Sequence, residues 1–283
     1  MRPSLRTTLF LAPATAWLLC MLVLPLVVVV VFSFGERGGA GGYVPAFTFE
    51  NYANLGARWA AFRNTLTLAP FGTLLCLLIA YPLAYYLAQK ASPRWRTLLL
   101  ILVIVPFWTS ILIRSYAWIQ ILGGNGLPRL IGEFGFGRPR FINTPFAVMV
   151  GIVYGYLPLM VFPIYVALEK LDRRLLEASS DLGSPPWRTF LQVTLPLSLA
   201  GVATGSMLVF ILLMGEFLIP QLLGGGKVFF IGNALVDLFL QSRNWPFGAA
   251  LAATLVLVML VTVTLYLRSL RRLSGGRDDV ALM

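Results

Sequence analysis

Glu177-Ala-Ser-Ser-Asp-Leu-Gly183, followed after nine residues by Val193-Thr-Leu-Pro196, is the longest charged, water-compatible stretch in a chain that is otherwise mostly apolar. If residues 171–182 are helical, Leu171, Leu175, Ala178 and Leu182 form one apolar stripe, while Asp172, Arg173, Glu177 and Asp181 occupy other faces. Gly183 and the Pro185-Pro186 pair then end that helix, and a second short helix is expected from Trp187. The stretch reads as helix, break, helix. By periodicity alone it suits either a partner protein or a helix resting on lipid.

The surroundings decide the class. Of 283 residues, 58% are hydrophobic and 12% charged, with a mean hydropathy of +0.83; a soluble domain has about 45–50% apolar and about 25% charged residues. There is no histidine, and the two cysteines, Cys20 and Cys76, lie inside apolar runs. That argues against a metal-ligand cluster, histidine acid–base catalysis and a disulfide framework. A membrane helix needs about 20 apolar residues, and six stretches qualify: about 9–34, 65–88, 97–122, 145–168, 195–222 and 247–267. The first is expected to be an uncleaved anchor. Its apolar run exceeds the roughly 7–15 residues of a signal-peptide core, and Ala14-Thr15-Ala16 comes too early for cleavage.

Six spans put both termini on one side. With the N-terminus inside, 13 basic residues face the cytoplasm and eight lie in outer loops, and the inner loops are shorter. The positive-inside rule therefore places the Glu177 segment in the cytoplasm. In this frame the net charge of +11 is a topology signal, and no nucleic-acid partner is expected.

The outer loop at about 35–63, with Gly38–Gly42, Tyr43, Phe47, Phe49, Tyr52 and Trp59, fits an interfacial aromatic belt or a partner surface. Pro70, Pro82, Pro106, Pro158, Pro163 and Pro220 fall inside spans; each removes a helical hydrogen bond that neighbours or water must replace, so these helices are expected to bend or line an interior. Gly151 with Gly155, and Gly201 with Gly205, let helix backbones approach closely, within the bundle or at a seam with a second subunit. No internal repeat is visible.

Two ionisable residues, Arg114 and Glu216, sit inside apolar spans, where exposure to lipid costs several kcal/mol. On straight helices they lie roughly 26 and roughly 29 Å from the cytoplasmic ends. Two roles compete: a structural ion pair, or polar contacts on a substrate path. Pro220, four residues after Glu216, would free the Glu216 carbonyl as a second acceptor suited to a cation. Trp108, Tyr116 and Trp118 at the outer end of span three fit an interfacial belt or a surface for a substrate ammonium group. Gly224-Gly225-Gly226-Lys227 is followed by Val228, not the Ser or Thr of a phosphate-binding loop. Any ATP-driven step must come from another chain.

Glu177-Ala178-Ser179, three residues, Gly183, nine residues and Val193-Thr194-Leu195-Pro196 resemble the EAA loop of ABC importer permeases, E-A-A-x3-G-x9-I-x-L-P, with Ser179 and Val193 as the departures. Asn64-Thr65-Leu66 resembles the start of that family's core domain. The runs Pro106–Ser110, Arg114–Trp118, Gly123–Gly126 and Gly215–Pro220 resemble its spermidine/putrescine subfamily. The resemblance implies an all-α membrane protein with six transmembrane helices, the type I ABC importer permease fold and a cytoplasmic coupling loop. It divides the chain into an anchor and outer loop (1–63), a core of five spans (64–268) with the coupling loop at 169–196, and a cytoplasmic tail (269–283).

The family further implies no catalytic residue or cofactor in this chain, with ATP and Mg bound by two partner ATPase subunits. Its other partners would be a second permease subunit, expected to be different from this one, and an outer substrate-binding protein. Leu175, Glu177, Ala178, Ser179, Asp181, Leu182 and Gly183 would dock on the ATPase; Arg114, Glu216, Trp108, Tyr116 and Trp118 are the candidates for the substrate path on the residue reading above, beside the ion-pair and interfacial-belt alternatives. The implied location is a bacterial inner membrane and the implied cargo a polyamine or related amine. An amino-acid-like solute, an inorganic ion and a secondary carrier are the alternatives.

Overall fold

The computed structural model describes residues 5–273. The N-terminal Arg2 and the tail beyond Leu273, with Arg277, lie outside the described residues. The described residues form two compact units: one joins residues 5–59 to Ala234–Val258, and the other joins Ala60–Asn233 to residues 259–273.

In the first unit, α1 (Leu5–Ser33) is apolar on every side and exposed along its spanning length, as a lipid-facing helix must be. After it, β1 (Glu36–Arg37) pairs antiparallel with β2 (Tyr43–Val44). A turn of helix, α2 (Glu50–Ala53), and a 3-10 turn follow. The outer-loop aromatics form a small cluster: Phe34 stacks on Phe47 at 5.2 Å and meets Phe49 edge-on at 5.4 Å. Asn51 Nδ2 donates to the carbonyls of Ser33 and Gly35, and the Tyr52 hydroxyl donates to Ser33 Oγ at 2.7 Å, so the end of α1 is capped by side chains from this loop. Arg58 pairs with Asp237 at 2.7 Å.

The second unit holds the core. In α3 (Trp59–Tyr85), Ala69, Gly72, Cys76, Ala80 and Ala84 fall on one stripe of small residues, all buried. A methyl at Gly72 would meet Ile152 at 3.1 Å and Leu213 at 3.2 Å, which is why the stripe is small. The helix ends in a π turn, Tyr86–Lys90. Next come α4 (Pro93–Trp108), α5 (Ile111–Leu122) and α6 (Leu127–Glu133). The long α7 (Pro145–Glu169) packs most extensively on α10 (Leu195–Met214). Gly201 backs directly onto the Pro163 carbonyl and Ala167, and Gly205 onto Met160, while Gly151 and Gly155 receive Ile219 from α11 (Leu218–Gly224). Both glycine pairs serve packing within the chain. Helices α12 (Ile231–Val236) and α13 (Trp245–Leu273) complete the chain.

Five helices are long and apolar enough to span a membrane, and six spans result when the bent pair α4 and α5–α6 is counted as one. Two expected spans are not continuous. The stretch 97–122 turns by 96° between Trp108 and Ile111. Pro106 sits in the last turn of α4, the Thr109 hydroxyl donates to the Pro106 carbonyl at 2.7 Å, and Ser110 Oγ caps α5 by accepting from the Leu112 N–H. The stretch 195–222 also breaks: α10 ends at Met214 and α11 begins at Leu218. Straight-helix depths for Arg114 and Glu216 therefore do not apply. Pro220, moreover, lies in the first turn of α11, where its missing N–H costs no helical bond.

Candidate functional site

The segment from Glu177 to Pro196, with the residues leading into it, folds as helix, break, helix. Its first helix, α8 (Arg173–Asp181), is shorter at both ends than the expected 171–182, because Asp172 caps it by accepting from the Arg174 N–H and Leu182 is its C-cap. Gly183 then takes φ +77°, a left-handed turn that lets its N–H reach the Ser180 carbonyl and the Ser184 N–H reach that of Ser179. The second helix, α9 (Pro186–Thr189), passes through a π turn into α10.

The apolar stripe divides on folding. Leu171 is buried in the bundle, whereas Leu175, Ala178 and Leu182 are exposed beside Glu177 and Asp181, with Leu182 88% exposed. Half-buried Leu176 and Ser179 turn toward the chain instead. Ser179 shares a 2.9 Å hydroxyl hydrogen bond with Thr189, so the departure from alanine ties α8 to α9. At the other end, Arg173 donates to the Gln89 carbonyl, Gln89 Nε2 donates to the Leu168 carbonyl at 2.6 Å, and Arg96 pairs with Glu169 at 3.3 Å. These polar residues lie at helix ends far apart in sequence, and nothing in local spacing points to them. The uncovered face of α8 is thus fixed at both ends to the ends of three long helices, α3, α7 and α10.

A second polar cluster surrounds the break in the fifth span. Glu216 is 6% exposed, and its Oε1 accepts from the backbone N–H groups of Phe217, Leu218 and Ile219 at 2.9, 2.7 and 3.2 Å. Its Oε2 accepts from the Tyr156 hydroxyl of α7. The carboxylate supplies what the start of α11 lacks, acceptors for N–H groups with no helical partner. Asn233 supports the same turn, donating to the Phe217 carbonyl and accepting from the Phe230 N–H. Thr65 accepts from the Ile231 N–H and Asn64 donates to the Phe229 carbonyl, so the Asn64-Thr65 pair holds the following segment. Tyr156 and Asn233 had escaped notice; a polar side chain within an apolar run was the available signal.

Of the two roles open to Arg114 and Glu216, the ion pair is not formed among the described residues. Arg114 Nε and Nη1 are buried with no hydrogen-bond partner, and the guanidinium stands 5.9 Å from the centre of the Phe107 ring. The three aromatic residues of span three do not converge: Trp108 is exposed at the end of α4, Tyr116 is exposed on α5, and Trp118 packs edge-on against Tyr154 of α7 at 5.6 Å. The Gly224–Gly226 run closes α11 in left-handed turns, with Gly225 against Asn143, and cradles nothing. Among the described residues no cluster could hold a metal ion.

The family described as binding-protein-dependent transport system inner membrane component matches residues 80–275. The chain belongs to this family. Among its relatives, this permease is 42% identical to the spermidine/putrescine transport system permease protein PotB of Haemophilus influenzae, over 90% of each chain. It is 40% identical to the protein of the same name from Escherichia coli, over 91% of this chain and 95% of that one. The crystal structure of a bacterial ABC transporter involved in alginate import contains a chain of the same fold, with a TM-score of 0.76, 19% identity and coverage of 94% of this chain and 95% of that one. As an inner membrane component of an ABC importer, the permease works with a binding protein and a separate ATPase.

Proposed function

We propose that this permease carries a polyamine such as spermidine or putrescine across a bacterial inner membrane, with both termini in the cytoplasm. The identity of 40–42% across nine-tenths of the chain to two spermidine/putrescine permeases carries this reading. In it, residues 64–268 form the transporting core beside a second, different permease subunit. Two ATPases holding ATP and Mg receive α8, with Leu175, Ala178 and Leu182 supplying apolar burial and Glu177 a charge contact. Closure of the ATPases around ATP pulls α8. The Arg173–Gln89 link and the continuous run of chain from α9 into α10 pass that motion to α3 and α10, and two states of the spans are exchanged.

The test is uptake of labelled spermidine into vesicles containing the assembled transporter and its binding protein. Uptake that needs internal ATP and is competed by putrescine supports the reading; no spermidine uptake under conditions that drive ATP hydrolysis overturns it. The Arg114 guanidinium, with Nε and Nη1 buried and unpartnered, favours a second reading, an anionic or amino-acid-like solute, because an unmatched cation within a span invites one. A thermal-shift screen of the binding protein with spermidine, glutamate and molybdate separates the two.

A further inference from the structure

The segment between the bent span and α7 carries an apolar surface that the transport reading leaves unused. Helix α6 shows two apolar sides. Pro128 and Ile131 face the chain, while Leu130 is exposed and, just beyond the helix, Phe134 and Phe136 are 79% and 84% exposed. This loop is built to hold those rings out. The N–H groups of Phe134, Gly135 and Phe136 bond back to the carbonyls of Leu130, Gly132 and Ile131, while Gly135 and Gly137 take φ +85° and +79°. Nothing lies within 4 Å of where a methyl on either glycine would stand, so none of the described residues covers these two positions.

Basic residues flank the rings. The stem of Arg138 crosses α6 at Gly132, where a methyl would come within 2.7 Å of its Cγ, and the packing orients this arginine along the helix. Arg140 is exposed close by, and neither arginine has an ion pair among the described residues. Glu133, the single acidic side chain of the segment, is neutralised by Arg129 at 2.9 Å. The segment starts in the last helix of the bent pair and stops just short of α7, so candidate membrane helices adjoin it on both sides.

We propose that residues 127–140 form an interfacial lip, with Leu130, Phe134 and Phe136 seated in the acyl boundary of the bilayer and Arg138 and Arg140 on lipid phosphates. Both halves of the occupant are specified by the chain: exposed rings demand an apolar medium, and unpaired cations beside them demand anions at the edge of that medium. The lip would fix the end of the bent span against the membrane surface while the bundle changes state. This inference rests on membrane embedding alone, and holds whatever solute the permease carries.

A spin label on Phe136→Cys, in a Cys20→Ser background that leaves only the buried Cys76, reads the depth directly. With the assembled transporter in phosphatidylcholine–phosphatidylglycerol vesicles, the label should be reached by oxygen more than by a water-soluble nickel complex, at about 5–10 Å below the headgroups. Arg138→Ser with Arg140→Ser should move it toward water, and more so in phosphatidylglycerol-rich vesicles. A label at Phe134→Cys should agree. A label as open to nickel as a free nitroxide overturns the proposal. So does one that becomes shielded only when the binding protein is added, since that would make the lip a protein-docking surface.

Discussion

Glu216 shows how a single buried charge can be read two ways before its partners are known. As a substrate contact it would need a free carboxylate, yet both oxygens are engaged, one by three backbone N–H groups and the other by Tyr156. Charge-assisted hydrogen bonds contribute about 1.5–3 kcal/mol each, so Glu216→Gln should cost a few kcal/mol of stability. The expected outcome is a lower melting temperature of the detergent-solubilised protein without any substrate, with a reduced maximal rate. A KM that rises alone, with the melting temperature unchanged, would return Glu216 to the substrate path. Tyr156→Phe leaves one carboxylate oxygen unpartnered, and should shift the same melt in the same direction by about 1 kcal/mol.

Among the elements, α8 carries the clearest prediction. Glu177→Lys should abolish ATPase association and uptake while insertion is unaffected, measured by co-purification and vesicle transport. Gly183→Asp should do the same for a second reason: a non-glycine residue at φ +77° costs about 1–2 kcal/mol and tilts the exposed stripe away from its register. Normal uptake in both variants would remove α8 from coupling. Ser179→Ala removes only the Thr189 hydrogen bond and restores the residue of the family pattern, so its uptake should stay close to normal. Elsewhere, Gly201→Leu would drive a side chain into the Pro163 carbonyl and Ala167. Overpacking of this kind costs about 1–3 kcal/mol, visible as loss of folded protein in a thermal melt.

For the whole molecule, the topology prediction is that alkaline phosphatase fused after residue 273 stays inactive while the same enzyme inserted at Gly39 is active. The reverse pattern would invert the membrane orientation and remove α8 from the cytoplasm. Gly39 is a suitable point because a side chain there meets nothing within 4 Å. Six apolar stretches were legible because length and hydropathy are properties of single segments. The bend after Trp108 was legible only in part. Pro106 marked a weakness, but an angle of 96° needed Thr109 and Ser110 to end one helix and cap the next.

What the sequence determined by itself was the number of apolar stretches and the spacing from Glu177 through Gly183 to Pro196. Each depends on local composition or on helix periodicity, which act over a few residues. Tertiary structure alone decided the partners: Glu216 with the start of α11 and Tyr156, Arg114 beside the Phe107 ring, and Leu171 inward while Leu175 and Leu182 stay exposed. Those outcomes depend on which acceptors and which packing surfaces arrive from segments dozens of residues away. In a medium that supplies no water to unsatisfied groups, that arrival settles the role of every buried charge.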